Sequence, residues 1–313
     1  MGISIFFWIG FHIFIFIMLA LDLGVFHKKI HKVPVKEAII WSIVWISLAL
    51  IFSLCIPLVI YPEPSVGKIK ALEFLTGYVI EYSLSVDNIF VFILIFSYFK
   101  VDDRYQHKVL FWGILGALIM RAIFIFTGVA LINRFHWIVI IFGGFLVFTG
   151  VRMLFQRDMP SDPENNPVVR FFRKFLPVTD TMHGDKLFVK KNRMLHATPL
   201  FLVLVVIETS DLIFAVDSIP AILAISKDTF IVYTSNIFAI LGLRSLYFAI
   251  AGIMSYFRYL KTGLAFVLTF VGLKMLLAFF NLNIHIVLSL VIIISILLIS
   301  VLASVFVRQE EKG

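Results

Sequence analysis

Nine apolar runs, each long enough to cross a bilayer, constrain this chain more than any other feature. A transmembrane helix needs roughly 20 consecutive apolar residues. The composition agrees, since 61% of the 313 residues are hydrophobic, only 15% are charged and the mean hydropathy is +1.04. The sequence therefore predicts an all-α, polytopic membrane protein that forms a single transmembrane domain over residues 1–313. The predicted spans are 3–25, 39–60, 71–99, 109–132, 135–155, 199–225, 230–254, 259–280 and 284–306.

Most of the 27 Lys and Arg residues fall in every second segment between these spans. Cytoplasmic loops of membrane proteins carry such an excess of positive charge. The asymmetry predicts an N-terminus outside the membrane and a C-terminus in the cytoplasm. It also assigns the net charge of +8 to topology and lipid contact, so that no nucleic-acid partner is expected. The basic segments are 28–36, 100–108, 152–193, 258–261 and 308–312.

Two of the apolar runs carry carboxylates in their middle and resemble each other. The segment "VIEYSLSVDNIF" begins at Val79, and "VVIETSDLIFAVDSIP" begins at Val205. Alignment on the shared V-D-N/S-I core pairs the acids at the same spacing. Glu81 is then opposite Asp211, and Asp87 is opposite Asp217.

The resemblance continues along the chain in the same order. "MRAIFIFTG" matches "LRSLYFAIAG" and places Arg121 opposite Arg244, while "FTGVRMLF" matches "FVGLKMLL" and places Arg152 opposite Lys274. Three ordered matches predict two homologous units of three helices. Because each unit has an odd number of crossings, the second would enter from the opposite side, giving the inverted repeat typical of secondary transporters. The predicted units are spans 3–5 (71–155) and spans 6–8 (199–280), joined by a cytoplasmic linker at 156–198.

Five carboxylates inside the spans need compensation, because a central Asp costs roughly 2.5–3.5 kcal/mol on insertion scales. Ion pairing with basic side chains in the spans is the structural explanation. The acids outnumber those bases, so a divalent cation or two protons would complete the charge balance. The acids are Glu81, Asp87, Glu208, Asp211 and Asp217, and the charge-balancing bases are Arg121, Arg244 and Lys274.

Hard oxygen donors surround these acids in the sequence. The amide of Asn88 and the hydroxyl of Ser218 are adjacent to them, and such ligands suit Mg²⁺, Ca²⁺ or Mn²⁺. Pro220 is expected to kink or unwind its helix at Asp217 and so free carbonyl oxygens. Asp22 is either a sixth acid of the pathway or an interfacial residue. His12, a lone histidine within a span, is expected to be bonded to its own helix rather than to a ligand.

At these residues the chain resembles the TerC family of integral membrane proteins, near its Alx-type members. The motifs are "EYSLSVDNIFVF", "ETSDLIFAVDSIPA" and "LDLGVF". The resemblance implies a multi-pass protein of the bacterial plasma (inner) membrane that exports manganese, with the five acids as its functional set. It implies no prosthetic group. The family is also associated with tellurium resistance and redox modulation.

Three other functions were weighed against manganese export. The chain lacks a nucleophile–base pair, a Gly-rich phosphate loop and the Gly-flanked Asp of intramembrane proteases, so no enzyme is predicted. A non-transporting scaffold or redox and stress modulator would not need carboxylates between the repeats. A calcium/proton exchanger would use the same hard ligands. The sequence does not decide the oligomeric state.

Overall fold

The computed structural model describes residues 3–26, 34–135, 137–155, 177–179, 181–191, 194–251, 259–280, 282 and 284–306. Within these ranges it describes only the backbone of residues 21–26, 87, 90, 94, 191, 217 and 305.

Nine α-helices run through this described part of the chain. Eight of them, α2 to α9, are long and apolar enough to cross a membrane, and α1 contains the apolar stretch Ile5–Ala20. A π-helical turn, Ile56–Ile60, extends α2. The prediction of an all-α polytopic membrane protein is confirmed. The helices are α1 (Ile5–Phe26), α2 (Val35–Cys55), α3 (Pro64–Tyr98), α4 (Asp103–Arg134), α5 (Ile138–Phe155), α6 (Pro199–Leu223), α7 (Thr229–Ala251), α8 (Leu260–Phe279) and α9 (Ile286–Phe306).

A small β-hairpin precedes α6, in the region predicted as a linker. Strand β1 (Phe188–Lys191) pairs antiparallel with β2 (Met194–Ala197), which the sequence analysis did not predict. Asp185, just before β1, accepts a 2.8 Å hydrogen bond from Lys108 Nζ at the beginning of α4, and this contact lowers the pKa of Asp185. The hairpin is therefore tied to the helix bundle. Residues 156–176 of the linker lie outside the described residues.

The packing of the helices follows the pattern that the predicted repeat requires. Helix α3 packs along α7, and α4 packs along α6. In the alignment α3 corresponds to α6 and α4 to α7, so these two interfaces are two copies of one contact. Both pairs run parallel. Gly77 and Tyr82 of α3 meet Ser235 and Gly242 of α7 in order, and Gly116 and Gly128 of α4 meet Glu208 and Leu223 of α6 in order. The packing supports the inverted repeat, which stays a prediction.

Helices α5 and α8 cross where their backbones touch. A Cβ atom at Gly150 would lie 2.7 Å from the carbonyl oxygen of Ala265, and one at Gly272 would lie 2.8 Å from that of Gly143. The alignment makes Gly150 the counterpart of Gly272 and Gly143 the counterpart of Ala265, so one contact occurs twice. Small residues permit such close approach between membrane helices. We call this crossing the α5–α8 seam.

We expect Gly272→Ala to lower the free energy of unfolding by about 1–3 kcal/mol, because the added methyl group overpacks the seam. Its Cβ would lie 2.8 Å from both Gly143 O and Val147 N. Gly144→Ala is the matched control, since nothing lies within 4 Å of a Cβ at that position of α5. Thermal unfolding in detergent measures both variants. Equal midpoints for the two would contradict the close contact.

Candidate functional site

The guanidinium of Arg121 lies in the interior of the bundle, where the side chain is 1% exposed. Its Nη1 forms an ion pair with Oε1 of Glu81 on α3 and donates a 3.2 Å hydrogen bond to the hydroxyl of Ser218 on α6. Its Nη2 lies 3.1 Å from Oδ1 of Asp211, also on α6. Asn88 Nδ2 donates to the same Asp211 oxygen at 3.4 Å. We call these five residues the Arg121 layer.

The two acids in this layer are the ones that the repeat alignment pairs. Glu81 comes from α3 of the first unit and Asp211 from α6 of the second, and they are 0% and 5% exposed. Arg121 comes from α4, which packs along α6. Side chains from α3, α4 and α6 therefore meet at the guanidinium of Arg121.

The Arg121 layer contains more negative than positive charge. One guanidinium faces two carboxylates, and within the described residues Oε2 of Glu81 has no hydrogen-bond partner. The amide oxygen of Asn88 and the hydroxyl of Ser85 are likewise buried without one. A buried charge that lacks full compensation is strongly destabilising. These oxygens can therefore accept a proton, a water molecule or a hard cation.

Glu208 lies one turn before Asp211 on α6, and its carboxylate fits against Gly116 of α4. A Cβ atom at Gly116 would overlap the carboxylate of Glu208. One turn earlier, a Cβ at Gly113 would make only an ordinary 3.4 Å contact with Ile207. The glycine at position 116 thus provides the space that holds Glu208 beside the Arg121 layer.

Three predicted acids lie in helices, but their side chains are outside the described residues. Asp87 belongs to α3, Asp217 to α6 and Asp22 to α1. The unwound turn expected at Asp217 is absent, because α6 is helical from Pro199 to Leu223. A proline removes one backbone hydrogen bond, and membrane helices tolerate it where neighbouring groups compensate.

The other two basic residues occupy different places from Arg121. Nη1 of Arg244 lies 2.9 Å from Nε2 of His107 on α4. Because a guanidinium has no acceptor, that histidine nitrogen accepts. Beside this pair, Tyr247 donates a 2.8 Å hydrogen bond to Gln106, and Tyr247 and Gln106 line a cavity of about 490 Å³. We call these four residues the His107 cluster.

Lys274 is buried on α8, and its positive charge is attracted by the carboxylate of Glu73 on α3. Glu73 accepts hydrogen bonds from Lys70 at 2.9 Å and from Ser226 at 2.6 Å. Lys70 also lies 3.5 Å from Asp228, which accepts a hydrogen bond from the Tyr61 hydroxyl.

Burial raises the pKa of Tyr61, so its hydroxyl stays protonated and donates the hydrogen bond to Asp228. We call Tyr61, Lys70, Glu73, Ser226 and Asp228 the Glu73 cluster. It lies at the beginning of α3, whereas the His107 cluster lies near the end of that helix.

The described side chains contain no group of three or more His, Cys, Asp or Glu residues placed to hold a metal ion. Asp87 and Asp217 are not among those side chains. His12, as expected, is bonded within the bundle, to Trp8 O at 2.8 Å and to Tyr233 OH at 3.0 Å. The available donors are carboxylate, amide and hydroxyl oxygens, which fit a hard cation.

The sequence analysis did not single out several residues that the structure makes relevant. Gly116 and His107 become relevant only through contacts across helices, which no periodicity reveals. Asn236 of α7 could have been noticed, since it is an amide in the middle of an apolar span. Glu73 and Asp228 were missed because they lie at the ends of spans, where acids are common.

Comparison with known proteins places the chain in a family. The profile described as "Integral membrane protein TerC family" matches residues 66–312. The chain belongs to the TerC family. A Myxococcus xanthus protein, described as uncharacterized membrane protein STKORF319, is 53% identical over 268 residues, covering 86% of this chain and 82% of its own.

Other TerC relatives cover nearly the full length. An Escherichia coli K12 protein with the provisional name membrane-bound redox modulator Alx is 48% identical over 307 residues, 97% of this chain and 95% of its own. An uncharacterized membrane protein of Rickettsia bellii is 42% identical over 298 residues, 95% and 96% of the two chains. No solved structure matches this chain.

We expect Arg121→Met to lower the free energy of unfolding by about 3–5 kcal/mol, because Glu81 and Asp211 would remain buried without their cation. Combining it with Glu81→Gln should recover part of the loss, since one buried charge is then removed. Arg134→Met is the control at the exposed end of the same helix, and should change stability by less than about 0.5 kcal/mol. Chemical unfolding in detergent measures all three. A double variant less stable than Arg121→Met would contradict the shared ion pair.

A second prediction concerns the recess at Gly116. Gly116→Ala should displace the Glu208 carboxylate and reduce activity as strongly as Glu208→Gln, because the methyl group and the carboxylate would overlap. Gly113→Ala on the same face of α4 should leave activity unchanged. The activity compared is the cation export proposed below, and metal tolerance of cells that carry each variant measures it, with protein levels checked by immunoblot. Full activity of Gly116→Ala would show that Glu208 needs no recess.

Proposed function

We propose that this TerC protein is a secondary transporter that exports a divalent cation, most suitably Mn²⁺, across the bacterial plasma membrane. Its N-terminus would lie outside and its C-terminus in the cytoplasm. The observation that carries the proposal is the Arg121 layer, where aligned carboxylates from the two repeat units share one guanidinium and leave buried oxygens without partners. Buried acids at a repeat interface are typical of ion pathways.

The chemistry of the layer supports reversible binding of a cation. In the empty state Arg121 compensates part of the charge of Glu81 and Asp211. An arriving divalent ion would compete with the guanidinium for these oxygens, with Glu208 supplying a further carboxylate from one turn away. Asp87 and Asp217, on the same two helices, would complete the acidic set. Protons compete for the same oxygens, so that a proton gradient can drive export.

The two clusters at the ends of α3 support alternating access. The Glu73 cluster would close the outer end through its ion pairs, since it joins α3 to the α6–α7 connection. The His107 cluster borders the 490 Å³ cavity, which would face the cytoplasm. The oxygen donors fit all three ions, so the choice of manganese over calcium and magnesium comes from the family resemblance.

A different observation favours a second candidate function. Relatives with 48% identity are named as redox modulators, so a non-transporting role in redox or stress responses is the alternative. Cys55 is the only cysteine in the chain, which leaves no intramolecular dithiol for such a role. A modulator of this kind would not depend on the charge of Glu81 and Asp211.

Uptake into inside-out vesicles tests transport directly, with Mn²⁺, Ca²⁺ and Mg²⁺ compared under an imposed pH gradient. We expect an acidic lumen to accelerate Mn²⁺ uptake. Glu81→Gln and Asp211→Asn should slow it by at least about 100-fold, because each removes a charge from the binding layer. Glu63→Gln, at an exposed position before α3, is the control.

Two results would overturn the assignment. The first is Asp87→Asn and Asp217→Asn proteins that carry ions at the normal rate. The second is a neutralised Glu81 variant that still protects cells, which would favour the modulator.

A further inference from the structure

Helix α7 contains three consecutive buried polar residues that differ in how they are satisfied. Thr234, Ser235 and Asn236 are all 0% exposed. Thr234 donates to Phe230 O at 2.7 Å, and Ser235 donates to Val232 O at 3.1 Å. Among the described residues, neither Oδ1 nor Nδ2 of Asn236 has a hydrogen-bond partner. Buried polar groups nearly always have a partner, so this amide indicates a ligand or water that belongs beside it.

Asn236 lies on the part of α7 that packs against the stretch of α3 containing Glu81. Ser235 faces Gly77 of α3 and Gly242 faces Tyr82, so the stretch of α7 between them lies alongside residues 77–82 of α3. That stretch of α3 contains Glu81 and Tyr78. Neither Oε2 of Glu81 nor the buried hydroxyl of Tyr78 has a hydrogen-bond partner in the described part of the chain. Asn236, next to Ser235, therefore lies level with Tyr78, and Glu81 lies about one helical turn farther along α3. The amide, phenol and carboxylate groups with unused binding capacity thus fall within about one turn of two facing helices.

Further buried oxygens without a partner among the described residues follow Glu81 along α3. Ser85 Oγ and Asn88 Oδ1 are buried and have no partner within the described part of the chain. From Tyr78 to Asn88 the helix rises about 15 Å, so the unused oxygens extend along half of a bilayer core. A series of neutral oxygen donors binds a dehydrated cation weakly enough to release it, as conduction requires.

We propose that Asn236 is a ligand of the transported divalent cation, binding it through the amide oxygen about one helical turn from Glu81. The inference rests on the proposed function and adds a residue of α7 to it. Because the amide is neutral, it would bind the ion near the Arg121 layer without adding negative charge there. Water alone would satisfy one amide, but it would leave the excess negative charge of the Arg121 layer in place.

The test compares Asn236→Leu with Thr234→Val, a matched control with equal burial on the same helix. Thr234 bonds to its own helix, so its removal should leave Mn²⁺ binding and transport at the wild-type level. Asn236→Leu is nearly isosteric and should weaken Mn²⁺ binding to the purified protein at least about tenfold, as loss of metal-site groups does. Asn236→Asp keeps an oxygen ligand and should retain binding. Titration calorimetry with Mn²⁺ gives the affinities.

Thermal unfolding separates a ligand from a structural amide. Without Mn²⁺, Asn236→Leu should unfold about 2–4 °C above the wild type, because an unsatisfied polar group has been replaced by an apolar one. The Mn²⁺-induced rise in midpoint should be much smaller than in the wild type. Wild-type Mn²⁺ affinity in Asn236→Leu, or a lower midpoint without the ion, would overturn the inference while leaving the transport proposal intact. A wild-type protein that neither binds nor transports Mn²⁺ would overturn both.

Discussion

One guanidinium in the membrane interior holds together the parts of this structure that carry charge. Arg121 is fully buried and contacts carboxylates from two helices that the sequence aligns with each other. In a medium of low dielectric constant, neither carboxylate could stay ionised without that cation, and the cation could not stay buried without them. The close packing of α4 against α6, including the recess at Gly116, keeps these groups within reach. Stability and the proposed cation binding would therefore depend on the same few atoms.

The sequence was sufficient for the spans, and it pointed to the acids and to Arg121 as candidate site residues. Apolar run length determines where helices cross a membrane, so the predicted spans and the observed helices coincide apart from their ends. Helix α3 begins at Pro64 rather than at 71, because proline at the first position starts a helix well and the polar residues that follow can extend beyond the bilayer. The hairpin before α6 escaped prediction because each of its strands has only four residues.

The charge balance was less predictable than the charges themselves. Counting bases treated Arg121, Arg244 and Lys274 as equivalent, yet the structure places them in three different environments. They stand on three different helices, and only tertiary packing decides which group each one meets. The unwound turn at Asp217 does not form, since α6 continues as a helix through Pro220, and the surrounding helices decide such an outcome. The alternative prediction, a kink at this proline, stays a prediction. Asn236 is visible in the sequence as an amide within an apolar span, but only the packing shows that this amide has no partner among the described residues.

The α5–α8 seam has a mechanical consequence. Where two backbones touch at glycine, no layer of side chains remains that could shear, so the two helices must turn as one body. The contact is made twice by aligned residues, so in the proposed transporter it would act as a fulcrum between the two predicted repeat units. Any rocking that exposes the centre first to one side and then to the other must leave this fulcrum fixed. The displacement then falls on α3, α4, α6 and α7, the four helices whose charged side chains would have to exchange partners.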